Sequence, residues 1–209
     1  MVPANREGVE MKVNEFIDAL KERYGLFPQS DPFQVLIFTV LSQRTKDANT
    51  SEASARLFNK YRTPEQIANA SLEDIQELIK PAGFYKVKSK YVKAISKIVS
   101  EKGMPSTLDE LVKLPGVGRK TANCVLVYGY NKPAIPVDVH VHRISNRLGF
   151  VETKNPEQTE KELMKLIPRD KWIMVNSLLV KFGQDLCGSR PKCNQCPLSS
   201  KCPYFKSIP

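Results

Sequence analysis

Four cysteines near the C-terminus restrict this chain more than any other feature of its sequence. Cys187, Cys193, Cys196 and Cys202 fall within sixteen residues as C-x5-C-x2-C-x5-C, broken by Pro191, Pro197 and Pro203. Prolines at that density interrupt the segment and suit a loop wrapping a metal centre. The N-terminal stretch MVPANREGVEMK lacks the apolar core of a signal peptide, and the most apolar run, Phe33 to Leu41, is too short to span a bilayer. The expected location is therefore the cytoplasm, a reducing compartment that disfavours structural disulfides. Four thiolates held so close together there imply a metal centre. Structural zinc usually draws on two short Cys pairs, and only Cys193 and Cys196 form one, which leans towards iron-sulfur while leaving zinc open. Cys124 stands apart in an apolar stretch and reads as core packing.

The rest of the chain is punctuated by helix starts. Asp31-Pro32, Thr63-Pro64 with Gln66, and Asn155-Pro156 with Gln158 each place a capping residue before a proline at the first helical position. Ser71 with Asp74 and Thr107 with Glu110 have capping-box spacing, and Asp170 is placed to cap a run through Trp172, Val175, Leu178 and Leu179. FQVLIFTVL (33–41) is rich in β-branched residues and has the pattern of a buried strand, but its Asp-Pro start and the lack of any second alternating segment make it a buried helix. An all-α fold follows, with breaks near Asn131–Pro136 and at Cys187 that set the last third apart as a second lobe.

Within this helical frame, LVKLPGVGRKTANCVLV (111–127) reads as helix, turn, helix. Gly116 and Gly118 let the backbone turn tightly and present N–H groups at a helix N-terminus, where free donors and the helix dipole both favour a phosphate oxygen. As a bare pattern, LPGVG is also compatible with a plain turn between packed helices. The chain's formal charge of +10, from 32 Lys and Arg against 22 Asp and Glu, favours the phosphate reading and a polyanionic partner. Lys120, beside Arg119 in the first turn of the second helix, is a candidate nucleophile. A positive helix end, an adjacent guanidinium and partial burial would all disfavour its ammonium form. Spacing alone favours a phosphate contact or a solvated lysine instead. Asp138, in PVDVHVHRISNRLG, sits where the next helix begins and reads as an N-cap, a role compatible with chemistry. His140 and His142 lie two apart, on different helix faces, and read as structural.

LPGVGRKTA, then VDVHVHRISNRLG, then the terminal four-cysteine cluster, in that order, resembles the endonuclease III family of helix-hairpin-helix DNA glycosylases over roughly residues 10–204. The resemblance implies a two-lobed all-α fold, with a six-helix barrel over 25–134 and a discontinuous domain from 1–24 and 135–209 holding a 4Fe-4S cluster on Cys187, Cys193, Cys196 and Cys202. It implies a bifunctional DNA glycosylase and abasic-site lyase of base-excision repair that acts on damaged, oxidised-pyrimidine bases. The partner would be double-stranded DNA with damaged bases or abasic sites, and the protein a nucleoid-associated monomer. Lys120 matches the family's catalytic lysine and Asp138 its essential aspartate. In GFYKVKSKYV (83–92), Phe84 matches the wedge residue; in LSQRTKD (41–47), Arg44 stands where the family usually carries a glutamine that fills the hole left by the flipped base, with Gln43 before it. Arg190 and Lys192 in the cysteine loop are placed to meet phosphate. The first cysteine gap is one residue shorter than the commonest family spacing. The rival readings are a monofunctional mismatch glycosylase of the same fold, a non-catalytic DNA-binding module and a zinc-stabilised interaction protein.

Overall fold

The computed structural model describes residues 6–208, and no strand occurs among them. The first five residues and Pro209 lie outside this range, and with them part of the leader-free reading of the N-terminus and the outer ends of the 1–24 and 135–209 segments. The chain forms two compact units, one from residues 29–131 and one from residues 1–28 together with 132–209.

Proline-led caps build the inserted unit. After α1 (Arg6–Arg23), which belongs to the split unit, come α2 (Pro32–Ser42), α3 (Asp47–Lys60), α4 (Pro64–Asn69), α5 (Leu72–Leu78), α6 (Tyr85–Lys102), the single turn α7 (Leu108–Leu111) and α8 (Arg119–Tyr128). Asp31 accepts from the Gln34 N–H, and Thr63 with Gln66 forms a complete capping box. Ser71 and Thr107 accept from the N–H groups three residues on. α2 buries Phe33, Val35, Leu36, Ile37, Thr39, Val40 and Leu41, nearly its whole circumference, against α3, α6 and α8. That explains its strand-like composition: a helix enclosed by others needs apolar side chains on all sides, so amphipathic periodicity disappears. Burying six large apolar residues on one helix contributes on the order of 10 kcal/mol before chain entropy is counted.

The split unit packs α1 against α9 (Val139–Arg147), α10 (Pro156–Leu166) and α11 (Trp172–Asp185), followed by the short α12 (Pro203–Lys206). Its core is Val13, Phe16, Ile17 and Leu20 of α1 with Val141, Ile144, Leu163, Val175, Leu178 and Phe182. Phe16 meets Phe182 edge-on at 5.4 Å between ring centroids and Phe150 at 5.5 Å. Asn155 caps α10, with its side chain accepting from the Gln158 N–H. Asp170 does not cap α11. It lies inside a 3-10 turn, Arg169–Lys171, and the helix begins at Trp172 without a side-chain cap. The Trp172 indole N–H donates to the Ile167 carbonyl at 2.8 Å, which fixes that turn and moves the start of the helix past Asp170.

Candidate active site

Residue 116 has to be glycine for two reasons. Its φ is +74°, and a Cβ there would sit 2.5 Å from the Tyr91 ring. Gly118 differs from the expectation of two turn-making glycines, since its φ is −92° and a Cβ would meet nothing within 4 Å. Its bareness leaves open space outside the first turn of α8. Gly118 is the N-cap of that helix and no side chain caps it, so the dipole's positive end and the first-turn donors face outward, an arrangement suited to an anion. Gln43 braces the turn from α2: its Nε2 donates to the Gly116 carbonyl at 2.9 Å and to Thr121 Oγ1 at 3.4 Å.

Lys120 is the second residue of α8 and is exposed, whereas Thr121 through Val127 are buried. The partial burial expected for it is not found: Lys120 lies on the outward side of the first turn, while Thr121 and Ala122 in the same turn are buried. Lys120 follows an uncapped helix end, and its chain neighbour Arg119 is half-buried.

Asp138 is the N-cap of α9 and accepts from the His140 and Val141 N–H groups, each at 2.9 Å and both through Oδ1. Oδ2 has no protein partner among the described residues. One carboxylate thus fixes a helix start with one oxygen and keeps the other for something else. His140 Nδ1 pairs with Arg143 Nη2 at 3.0 Å and His142 Nδ1 with Thr159 Oγ1 at 2.7 Å, separate partners consistent with separate structural roles.

A second cluster lies in the same unit as the hairpin. Phe84 is 62% exposed, so core packing does not explain it. Both Phe84 and Arg44 adopt left-handed backbone, φ +57° and +51°, and the Arg44 guanidinium lies over the Phe84 ring at 5.9 Å. A non-glycine residue in that region costs on the order of 1–3 kcal/mol, and such strain concentrates at binding and catalytic sites. Gly83 permits the close approach of the two segments, since a Cβ there would come within 2.9 Å of the Arg44 carbonyl oxygen.

Residues 37–169 match the model of the HhH-GPD superfamily base excision DNA repair protein. Endonuclease III of Thermotoga maritima is 52% identical over 182 residues, covering 85% of either chain, and that of Bacillus subtilis is 40% identical, covering 95% of this chain and 93% of the relative. A solved structure described as a trapped endonuclease III-DNA covalent intermediate superposes with a TM-score of 0.87 at 35% identity, covering 94% of this chain and 97% of the other. This chain belongs to the endonuclease III family.

For a member of the endonuclease III family, the residues that sequence reasoning missed are two bases that hold loops in place. Arg147 reaches into the cysteine segment, donating to the Gly188 carbonyl at 2.6 Å, the Ser189 carbonyl at 3.2 Å and Cys187 Sγ at 3.7 Å, with its guanidinium over the Tyr204 ring at 4.3 Å. Lys88 lies buried under the 41–45 loop, and burial pulls its pKa down to about 8. Neither has a local pattern to betray it, because both act on acceptors forty or more residues away in sequence.

Cys187, Cys193, Cys196 and Cys202 are all half-buried and free of disulfides. As placed, no three His, Cys, Asp or Glu side chains among the described residues form a metal-holding set. Individual sulfurs engage backbone and arginine instead, Cys202 Sγ donating to the Arg147 carbonyl at 3.6 Å. The donor set nonetheless suits a thiolate-bound group. Burial raises the Cys196 thiol above its ordinary value, and the charges of Cys187, Cys202 and Cys193 raise it further, so the four share one neighbourhood. Arg190 and Lys192 stand exposed beside them. Among the described residues, no helix is long and apolar enough to cross a membrane.

Proposed function

We propose that the chain is a bifunctional DNA glycosylase and abasic-site lyase acting on oxidised pyrimidines in double-stranded DNA. The observation that carries this reading is an exposed primary amine, Lys120, in the first turn of an uncapped helix directly behind the glycine turn, in a chain of the endonuclease III family. The Gly116–Gly118 turn, Arg119 and the α8 N-terminus hold backbone phosphate without reading sequence. Once a damaged nucleotide is turned out of the stack, the neutral Lys120 amine forms a bond to the sugar C1′ and the base leaves with the electron pair of the broken glycosidic bond. The sugar ring opens to a protonated Schiff base, loss of a C2′ proton breaks the C3′–O bond, and water finally frees the lysine from the sugar aldehyde. Asp138, while ionised, would stabilise positive charge developing on the sugar. Its Oδ2, the oxygen its helix cap does not use, would then take the proton lost by the nitrogen once the Lys120–C1′ bond has formed. Phe84 and Arg44 occupy the gap in the duplex, and Gln43 supports the hairpin from behind.

Cys187, Cys193, Cys196 and Cys202 would hold a 4Fe-4S cluster, which would supply structural cross-linking of the loop, and Arg190 and Lys192 on that loop would meet DNA phosphates. The location consistent with this activity is the cytoplasm, at the nucleoid.

Borohydride trapping tests the reading. Added during reaction with an abasic or oxidised-pyrimidine duplex, it should reduce the Schiff base to a denaturation-resistant protein-DNA adduct, and Lys120→Gln should abolish the adduct while keeping most DNA affinity. An adduct forming at the normal rate with Lys120→Gln would assign the nucleophile elsewhere.

A further inference from the structure

Of the lysines among the described residues, only Lys88 is buried, at 4% exposure, and no carboxylate accompanies it. An unpaired buried ammonium is costly unless its donors are met. Here all three are: Nζ donates to the Leu41 carbonyl at 2.7 Å, the Gln43 carbonyl at 2.5 Å and Thr45 Oγ1 at 2.7 Å. Two of these acceptors lie at the C-terminal end of α2, where the helix dipole favours a cation. Thr45 Oγ1 also accepts from the Gly83 N–H at 3.0 Å, and the Lys88 backbone N–H donates to the Phe84 carbonyl at 3.1 Å. Its side chain therefore grips two backbone carbonyls before Arg44 and the Thr45 hydroxyl after it, while its main chain makes the first-turn helix bond to Phe84. Between those grips stand the two left-handed residues, each held in a conformation it would otherwise leave.

We propose that Lys88 is a positioning residue that locks Arg44 over Phe84 as one prebuilt insertion element, so that the duplex gap opposite an extruded nucleotide is filled without further ordering. The proposal rests on the DNA-repair reading above. It assigns Lys88 no contact with DNA; its effect passes through Arg44 and Phe84. Preorganisation of this kind removes the entropy of ordering two long side chains at the moment of binding.

A duplex carrying 2-aminopurine opposite a tetrahydrofuran abasic analogue tests it without requiring chemistry. Wild-type protein should raise the fluorescence as the orphan base unstacks, and Lys88→Met should lose most of that rise. On true abasic DNA, Lys88→Met should lower the lyase rate about tenfold in duplex and leave single-stranded substrate, which has no gap to fill, within about twofold of wild type. Combining Lys88→Met with Arg44→Ala should cost clearly less than the sum of the two separate losses, since both act on the same element. If Lys88→Met does not fold, Thr45→Val, which deletes one acceptor at constant volume, should give the same duplex-selective loss at about threefold. Equal losses on both substrates, an unchanged fluorescence rise, or additive losses in the double variant would each overturn the proposal. A wild-type protein that raises the fluorescence but never forms a Schiff base would refute the lyase reading alone.

Discussion

Replacing Asp138 by Asn and by Ala would separate the capping role of one carboxylate oxygen from the catalytic role proposed for the other. Oδ1 accepts from the His140 and Val141 N–H groups at 2.9 Å, and an Asn carbonyl can take over both. Asp138→Asn should therefore cost only a few tenths of a kcal/mol, the part of the helix-dipole attraction that needs a full charge. Asp138→Ala leaves two first-turn donors without their acceptor and should cost about 1–2 kcal/mol, the range for removing a good N-cap. For a protein of this size that is a fall in Tm of about 2–8 °C, measured by calorimetry. In catalysis the order changes. Both variants lack an ionised Oδ2, and a missing charge stabiliser at a developing cation costs about 100- to 1,000-fold in rate. Asn and Ala should then be nearly equal in single-turnover glycosylase rate and different in stability. An Asn variant that keeps more than about a tenth of the wild-type rate would show that the second oxygen is not used, and an Asn variant as unstable as Ala would show that charge rather than geometry makes the cap.

Two further outcomes follow from the charge and the cysteines. Affinity for undamaged duplex should fall about a thousandfold for a fourfold rise in salt if some six phosphates are neutralised, as fluorescence anisotropy would measure, and an affinity indifferent to salt would mean the +10 charge is not a DNA footprint. Protein purified under mild conditions should be brown and contain iron, and Cys193→Ser should lose iron and DNA affinity together; stoichiometric zinc in colourless wild-type protein would contradict the cluster assignment.

Much of this architecture was legible because its signals are local. A capping residue, a proline and a glutamine within four positions suffice for α4, and Asp31-Pro32 outweighed the strand-like composition of α2 because the cap is a specific geometry whereas β-branching is only a tendency. Asp170 failed for a reason of the same kind but from farther away: the Trp172 indole reaches back to Ile167 and draws the preceding residues into a tighter turn. Lys120 was legible as a position and not as an environment, since sequence spacing places it in a first turn but does not show which way that turn faces. Lys88 was not legible at all. In YKVKSKYVK it is one lysine among several, and what singles it out is a loop whose acceptors lie on another helix. The left-handed backbone at Arg44 and Phe84 is equally silent in sequence, because neither residue type advertises it.

The Ser30 N–H donates to the Tyr128 carbonyl at 3.0 Å, so the chain enters and leaves the 29–131 unit at one point. That single tie matters while the protein is being synthesised. Phe16 finds its partners only when Phe150 and Phe182 have been made, about ten to thirty seconds later at ordinary elongation rates, and until then the apolar face of α1 has no core to join. If the intervening hundred residues were still unfolded, bringing the two ends together would cost about 4 kcal/mol of loop entropy. Because the inserted unit is completed first by the ribosome and closes on itself through Ser30 and Tyr128, it hands the late-arriving C-terminal helices a short tether to α1. Vectorial synthesis thereby turns a discontinuous domain into a nearly local folding problem.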